Sequence, residues 1–225
     1  VVPCLNEEER LEATCKSLGF GFGTNSAPDS ETVLVLVDNA SDDNTLAVME
    51  RVARQSPPGR VYIEIENERG YVPPRHAGVL RAAKVAEAHG FLAPETLIVQ
   101  ADADTQYAPG YVTKMRNRAD ECGPGVLIEG LAAPTSDFLE KHSAFVALCD
   151  EVDESIEHIS VARDEDIIVD DKVAAYRLAD YLSWGGHVRE FSRNGDEIFA
   201  ETTRLFMRAK LKGASKSIVD EAEAY

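Results

Sequence analysis

Positive charge is in short supply: 23 lysines and arginines face 40 aspartates and glutamates in 225 residues, for a formal charge of −17. That surplus repels phosphate backbones and anionic headgroups, so nucleic acid is not an expected partner. Cysteine is scarce as well. Cys4, Cys15, Cys122 and Cys149 form no C-x-x-C pair and have no histidine at zinc-finger spacing, which argues against a structural zinc site or a disulfide framework. No apolar run approaches the roughly 18 residues of a membrane span, and no secretory leader is read. The expected location is therefore the cytoplasm, free or peripheral to the inner membrane face. No G-x-G-x-x-G follows the first strand, which disfavours a nicotinamide dehydrogenase. Asn6-Glu7-Glu8-Glu9 stands where a sugar nucleotidyltransferase would carry a basic glycine-rich loop, and Gln106 breaks the D-x-D-x-T of a haloacid-dehalogenase phosphatase.

What is present is an ordinary globular composition, 44% hydrophobic and 28% charged, in a chain of one domain's length. Short apolar runs alternate with helical patterns through the first half, the rhythm of βα units and a mostly parallel sheet. Strands are expected at Val1-Val2, Val33 to Val37, Val61 to Ile65 and Leu97 to Val99, the first being the end of a strand that begins upstream. Helices are expected from Glu7 to Leu18, Thr45 to Arg54 and His76 to Ala88, the last starting after Pro73-Pro74. Gly19 to Pro28 and Pro57 to Gly59 read as loops. In the second half a strand from Val126 to Leu131 precedes a long helix from Asp137 to Ile159. An acidic stretch Asp164 to Asp171, a helix Lys172 to Leu182, a turn at Trp184 to Gly186 and a helix Phe199 to Leu211 follow.

In an open parallel sheet, ligands bind where strands end and helices begin. The four strand exits read PCLNE (3–7), DNASDDNT (38–45), NERGYVPPR (67–75) and DADT (102–105), and all are polar. One aspartate after a strand is commonly a turn residue or a helix cap, the plain alternative for Asp38. Four polar exits on one edge favour a site. Asp102 and Asp104, one residue apart, are hard oxygen donors suited to Mg²⁺ or Mn²⁺, leaving coordination positions for phosphate oxygens and water. Such a cation would reconcile the acidic chain with a diphosphate ligand. Arg75, at a helix entrance, could dock an anion or be an exposed surface arginine.

The segments PCLNEEERL, VLVDNASDDNT, NERGYVPPRHAG and ADADTQYAPGYV resemble, in order and spacing over about 115 residues, the motifs of family 2 inverting glycosyltransferases of the GT-A fold. The resemblance implies a single-domain, GT-A-like three-layer α/β sandwich with a mostly parallel central sheet. Residues 1–115 would form its donor half and 116–225 its acceptor half. It implies a UDP- or GDP-linked sugar as donor, a hydroxyl acceptor (saccharide, lipid-linked or small molecule), Mn²⁺ or Mg²⁺ as cofactor, and transfer with inversion. A homodimer is compatible with it. Pro3, Asn6 and Glu7 would line the nucleoside pocket, Asp38 with Asn39 and Ser41 would meet the base, and Gly70 and Arg75 would complete it. Asp104 would hold the metal, with Asp102 on ribose or metal.

The match departs from the family at Pro74 and His76, where an alanine and an asparagine are usual. Glu201, Arg208 and Gly213 keep the spacing of the family's late motif, but Thr202 stands where its general base, an aspartate, belongs. A threonine hydroxyl is no base at neutral pH. Three outcomes stay open: Glu201 acts as base, Asp196 or Glu197 does, or the chain binds nucleotide sugar without turning it over. Glu201 could also sit in its helix for dipole reasons alone. Trp184, Gly185, Gly186 and His187 resemble an acceptor loop whose ring could stack on a sugar, against a buried core tryptophan as the alternative. His187 could touch metal or phosphate, though a lone histidine commonly does neither.

Overall fold

The computed structural model of the chain describes residues 1–22, 29–133, 135–163 and 167–225. Parts of two segments expected from sequence, the loop to Pro28 and the acidic stretch from Asp164, lie outside these residues. Strand β1 (Val2–Cys4), helix α1 (Leu11–Ser17), β2 (Leu34–Asp38), α2 (Thr45–Gln55), β3 (Val61–Ile65), α3 (Val72–Ala88) and β4 (Leu97–Val99) follow one another as the βα rhythm requires. Then come α4 (Tyr111–Cys122), β5 (Val126–Ala132), α5 (Ser136–Lys141), α6 (Ser143–Arg163), a 3-10 turn (Asp171–Val173), β6 (Ala174–Arg177), α7 (Leu178–Trp184), α8 (Glu201–Lys210) and β7 (Ser215–Ala224).

Strands β1, β2 and β3 form one parallel ladder, and β4, β6, β5 and β7 a second in that order. The Val1 amino group donates to Val99 O (2.8 Å) and Ala101 N–H donates to Val1 O (3.1 Å), the evenly stepped pattern of a parallel pair. The ladders thus join as one sheet, β3-β2-β1-β4-β6-β5-β7. Only β6 runs against its neighbours.

Period-2 alternation in β2 divides the core. Leu34 and Leu36 face Leu11 and Cys15 of α1, Val48, Met49 and Val52 of α2, and Met115 of α4. Val35 and Val37 face Val79 of α3, Tyr181 and Trp184 of α7, and Leu205 and Phe206 of α8. Helices therefore cover both faces, which is the three-layer arrangement expected.

Several boundaries differ from the sequence reading. The segment expected as a helix from Lys172 to Leu182 contains β6, whose Ala174, Ala175 and Tyr176 are fully buried between β4 and β5. Alanines with helical propensity are held in a strand by sheet pairing on both sides, and the helix begins only at Leu178. Helix α3 starts before the two prolines rather than after them. Pro73 and Pro74 occupy its first turn, where backbone N–H groups have no intrahelical acceptor, so their missing donors leave nothing unpaired. The expected 137–159 helix is split at His142 into α5 and α6. Helix α4 and strand β7 were not expected at all.

Candidate active site

The four strand exits lie together. Asn6 N–H donates to Ser41 Oγ (3.1 Å), Asn6 Oδ1 accepts from Asp42 N–H (2.8 Å), and Glu7 N–H donates to Thr45 Oγ1 (2.7 Å), which laces the first exit to the second. Asn39 links the second to the third: its Nδ2 donates to the carbonyls of Glu66 (3.1 Å) and Glu68 (2.7 Å), and its Oδ1 accepts from Gly70 N–H (3.2 Å). Arg10, three residues past the first exit, reaches Asp104 of the fourth at 3.4 Å. A polar cavity of about 350 Å³ opens beside this rim, lined by Asn6 to Arg10 and Asp43. A larger one of about 590 Å³ lies at the other end of the strands, among Leu34, Leu97 and Arg60, away from the polar exits.

Backbone strain gathers on the same rim. Among the described residues, the non-glycine residues with positive φ are Asn6 (59°), Ala40 (56°) and Ala200 (63°), at the first exit, the second exit and the start of α8. Such conformations persist where surroundings enforce them, and they cluster at functional sites.

Asp38 ends β2 beside Cys4 and Ile65 and is 6% exposed. Its Oδ1 is buried without a hydrogen-bond partner. A buried acceptor left unpaired is costly, and a donor close to this oxygen would relieve that cost. Asn39, by contrast, is 2% exposed with its amide committed to loop carbonyls, so it shapes the pocket instead of reading a ligand. Ser41 likewise spends its hydroxyl holding Asn6. Pro3 pairs in register with Val37 in the ladder and is half-buried.

Glu7 and Asp104 are the open carboxylates. Asp104 keeps 46% of its side-chain surface exposed and, among the described residues, is held by two long contacts of 3.4 Å, to Arg10 and Thr105. Burial raises the Glu7 pKa above the ordinary carboxylate value, and the negative charge of Asp104 raises it further. A carboxylate raised by a neighbouring negative charge in this way is one that a bound cation would relieve. No three His, Cys, Asp or Glu side chains among the described residues form a ready cage. An aspartate pair fits a divalent ion whose other positions belong to phosphate and water.

Arg75 is not the exposed arginine that α3's entrance allowed. It is 8% exposed and forks between Asp102 Oδ1 (Nη2, 2.7 Å) and Glu201 Oε1 (Nε, 2.5 Å), while its Nη1 is buried and unpartnered. Burial alone would lower its pKa, but Asp102, Asp171 and Glu201 together outweigh burial and raise it, so the guanidinium stays charged. Glu201 opens α8 and is 3% exposed, its carboxylate clamped by Arg75. Asp196 lies in an exposed turn closed by Ser192 N–H to Asp196 O (2.7 Å), and among the described residues its hydrogen bonds go to Ser192, not to this cluster. Gly70 backs onto Glu197, whose carboxylate accepts from Tyr71 N–H (3.2 Å) and Val72 N–H (3.3 Å) at the start of α3.

The acceptor-loop expectation is overturned for two of its four residues. Trp184 is 3% exposed and packs edge-on to Tyr176, so no ring face is free to stack on a sugar. His187 is 5% exposed and hydrogen-bonds through Nδ1 to Tyr181 Oη (3.2 Å) and through Nε2 to Thr202 Oγ1 (3.3 Å). Burial, then Arg75, pushes its pKa well below the ordinary value, so it is neutral at pH 7 and offers no positive charge to a phosphate. Gly185 is the left-handed C-cap of α7, and Gly186 O accepts from Arg208 at 2.5 Å.

Residues that sequence reasoning passed over complete the floor. Gln100 Nε2 donates to Thr202 Oγ1 (2.9 Å) and to Asp171 O (3.1 Å). Tyr107 Oη accepts from Asp102 N–H (2.9 Å) and donates to Lys172 O (3.0 Å). Asp171 Oδ1 accepts from Thr202 N–H (2.9 Å). Nothing local marks Asp171, since the contact spans 31 residues.

The sequence profile described as glycosyl transferase family 2 matches residues 1–144. The chain belongs to that family. The match covers the four strand exits and ends within α6, so the family's shared portion contains the rim just described, while α7 and α8 lie beyond it. No curated protein matches. Solved structures share the fold at low identity. TarS 1–349 of S. aureus superposes with a TM-score of 0.61 at 17% identity, covering 100% of this chain and 58% of that one. It is also known in complex with UDP, at a TM-score of 0.62. The mannosyltransferase PcManGT from Pyrobaculum calidifontis, in complex with GDP-Man and Mn²⁺, gives 0.65 at 18% identity over 99% of this chain and 54% of that one. This chain thus spans just over half the length of these structures.

Proposed function

We propose that the chain binds a UDP- or GDP-linked sugar along the carboxyl edge of β1 to β4, with Mn²⁺ or Mg²⁺ on Asp104 and Asp102. It transfers the sugar to an acceptor hydroxyl with inversion. The observation that carries this reading is the buried, unpartnered Oδ1 of Asp38 on the same rim as the open carboxylate of Asp104. The first suits a ring N–H of a nucleobase, and the second suits a cation bridging to diphosphate. A bound divalent ion supplies charge neutralisation of the departing diphosphate. The protein's part is to orient the nucleotide through Asp38 and the Asn6–Ser41 loops, and to hold Asp102 in place through Arg75 and Tyr107. On this reading residues 1–115 serve the donor and 116–225 the acceptor, although Glu197 and Glu201 of the second half pack directly against α3 of the first.

Asp104→Ala is expected to abolish Mn²⁺-dependent nucleotide binding in calorimetry while circular dichroism stays unchanged. Unaltered affinity would defeat the metal assignment. Thr202 favours a second reading, a nucleotide-sugar binder without turnover. It is fully buried, with its hydroxyl engaged by Gln100 and His187. Release of nucleoside diphosphate from a donor panel separates the two readings.

A further inference from the structure

We propose that Asp171 is the general base of the transfer reaction, taking the role that Thr202 cannot fill; the proposal rests on the glycosyltransferase reading above. Three carboxylates surround Arg75: Asp102, Glu201 and Asp171. Two are already neutralised by it, each through a direct hydrogen bond of 2.7 Å or less. Asp171 is the third. It makes no direct hydrogen bond with Arg75 among the described residues; its partner is Thr202, whose N–H donates to Oδ1 at 2.9 Å and whose hydroxyl also interacts with the carboxylate. It is partly exposed, whereas Glu201 is sealed at 3%.

A base must keep a free oxygen, reach the substrate and not be clamped by a cation. Of the carboxylates around Arg75, Asp171 alone is both partly exposed and free of a direct hydrogen bond to the guanidinium. Its position is also fixed. The 3-10 turn that carries it is pinned by Gln100 Nε2 to Asp171 O (3.1 Å) and by Tyr107 Oη to Lys172 O (3.0 Å). Tyr107 holds Asp102 N–H with the same hydroxyl oxygen, and Arg75 joins Asp102 from the other side. Asp171 is thus one guanidinium away from the D-x-D pair. It also lies against the backbone N–H of residue 202, the position whose side chain the family uses for this task. In the same cluster the Nη1 of Arg75 is buried and unpartnered, a donor still available to an acceptor.

The step balances simply. The acceptor oxygen forms a bond to the anomeric carbon as the bond from that carbon to the diphosphate breaks. The electron pair of the broken bond leaves on the nucleoside diphosphate, and the acceptor's proton passes to Asp171.

The test uses the whole chain with Mn²⁺, a panel of UDP- and GDP-linked sugars, and both sugar acceptors and water, read as nucleoside diphosphate release. Asp171→Asn keeps an oxygen for Thr202 N–H. It is expected to lower kcat by about 10² to 10⁴-fold with donor affinity little changed. Asp171→Glu should retain part of the rate, and Thr202→Asp placed in the Asp171→Asn background should restore part of it. An active wild type whose Asp171→Asn variant works equally well overturns this assignment and leaves the transferase reading standing. A wild type that binds donor but never releases diphosphate overturns both. Should Asp171→Asn fail to fold, Asp171→Glu decides. A kcat equal to wild type, with no change in the pH profile, counts against the proposal.

Discussion

At the scale of single residues, the cluster around Arg75 sets a trade between stability and reactivity. Burial raises the pKa of Asp171 above the ordinary aspartate value of about 3.9; Arg75 opposes the rise and Glu201 adds to it. The groups facing it are Arg75 from α3, Glu201 from α8 and Tyr176 from β6. The folded state therefore holds the Asp171 proton more tightly than the unfolded chain. By linkage its contribution to stability falls as pH rises from the unfolded value through the raised folded value. Asp171→Asn removes that contribution, so the variant is expected to melt at or above the wild-type temperature at pH 7 and to lose this advantage at pH 4. A wild type more stable than the variant at neutral pH would contradict the sign. Sequence reading placed Asp38, Arg75 and Asp104 on one rim because strand exits are local features. It placed Trp184 and His187 on the wrong side of the surface, because burial under α7 is decided by partners on distant β6 and α8.

At the scale of elements, α3 shows how one helix can be started by another part of the chain. Its first turn contains Pro73 and Pro74, and the free N–H groups just before them, on Tyr71 and Val72, are accepted by Glu197 from 125 residues away. Arg189 braces that carboxylate with two contacts of 3.2 Å. Glu197→Ala is expected to cost about 1 to 2 kcal/mol in urea unfolding, the range of a lost helix cap. Gly70, with φ 154°, is where the carboxylate passes closest: an added Cβ would stand 2.1 Å from Glu197 Oε2. Gly70→Ala should therefore destabilise by more than about 1 kcal/mol and share that loss with Glu197→Ala, so the two do not add. A strictly additive pair would dissociate the two effects. Helix α4 carries a legible stripe, Tyr111, Met115 and Ala119, all buried and bracketed by Gly110 and Gly123. Strand β7 carries no such signal, since its polar residues suit an edge with one exposed side and only Val219, Ala222 and Ala224 are buried.

At the scale of the whole molecule, a charge of −17 makes metal the expected gatekeeper for an anionic ligand. UDP or GDP at a hundredfold excess over Kd should stabilise the fold by about 2.7 kcal/mol with Mn²⁺ present, a rise of about 5 to 10 °C in Tm, and by far less with chelator. Equal shifts with and without the cation would remove the metal from the reading. No helix among the described residues is long and apolar enough to cross a membrane. The sequence alone determined the βα half, its parallel order and the polar rim, because hydrophobic periodicity and turn chemistry act over a few residues and need no partner. Only the tertiary structure decided that Ala174 to Arg177 is a strand, that Trp184 is core, and which carboxylate near Arg75 stays unclamped. Each of those outcomes depends on burial and pairing between segments tens of residues apart, where sheet contacts and buried ion pairs outweigh local propensity.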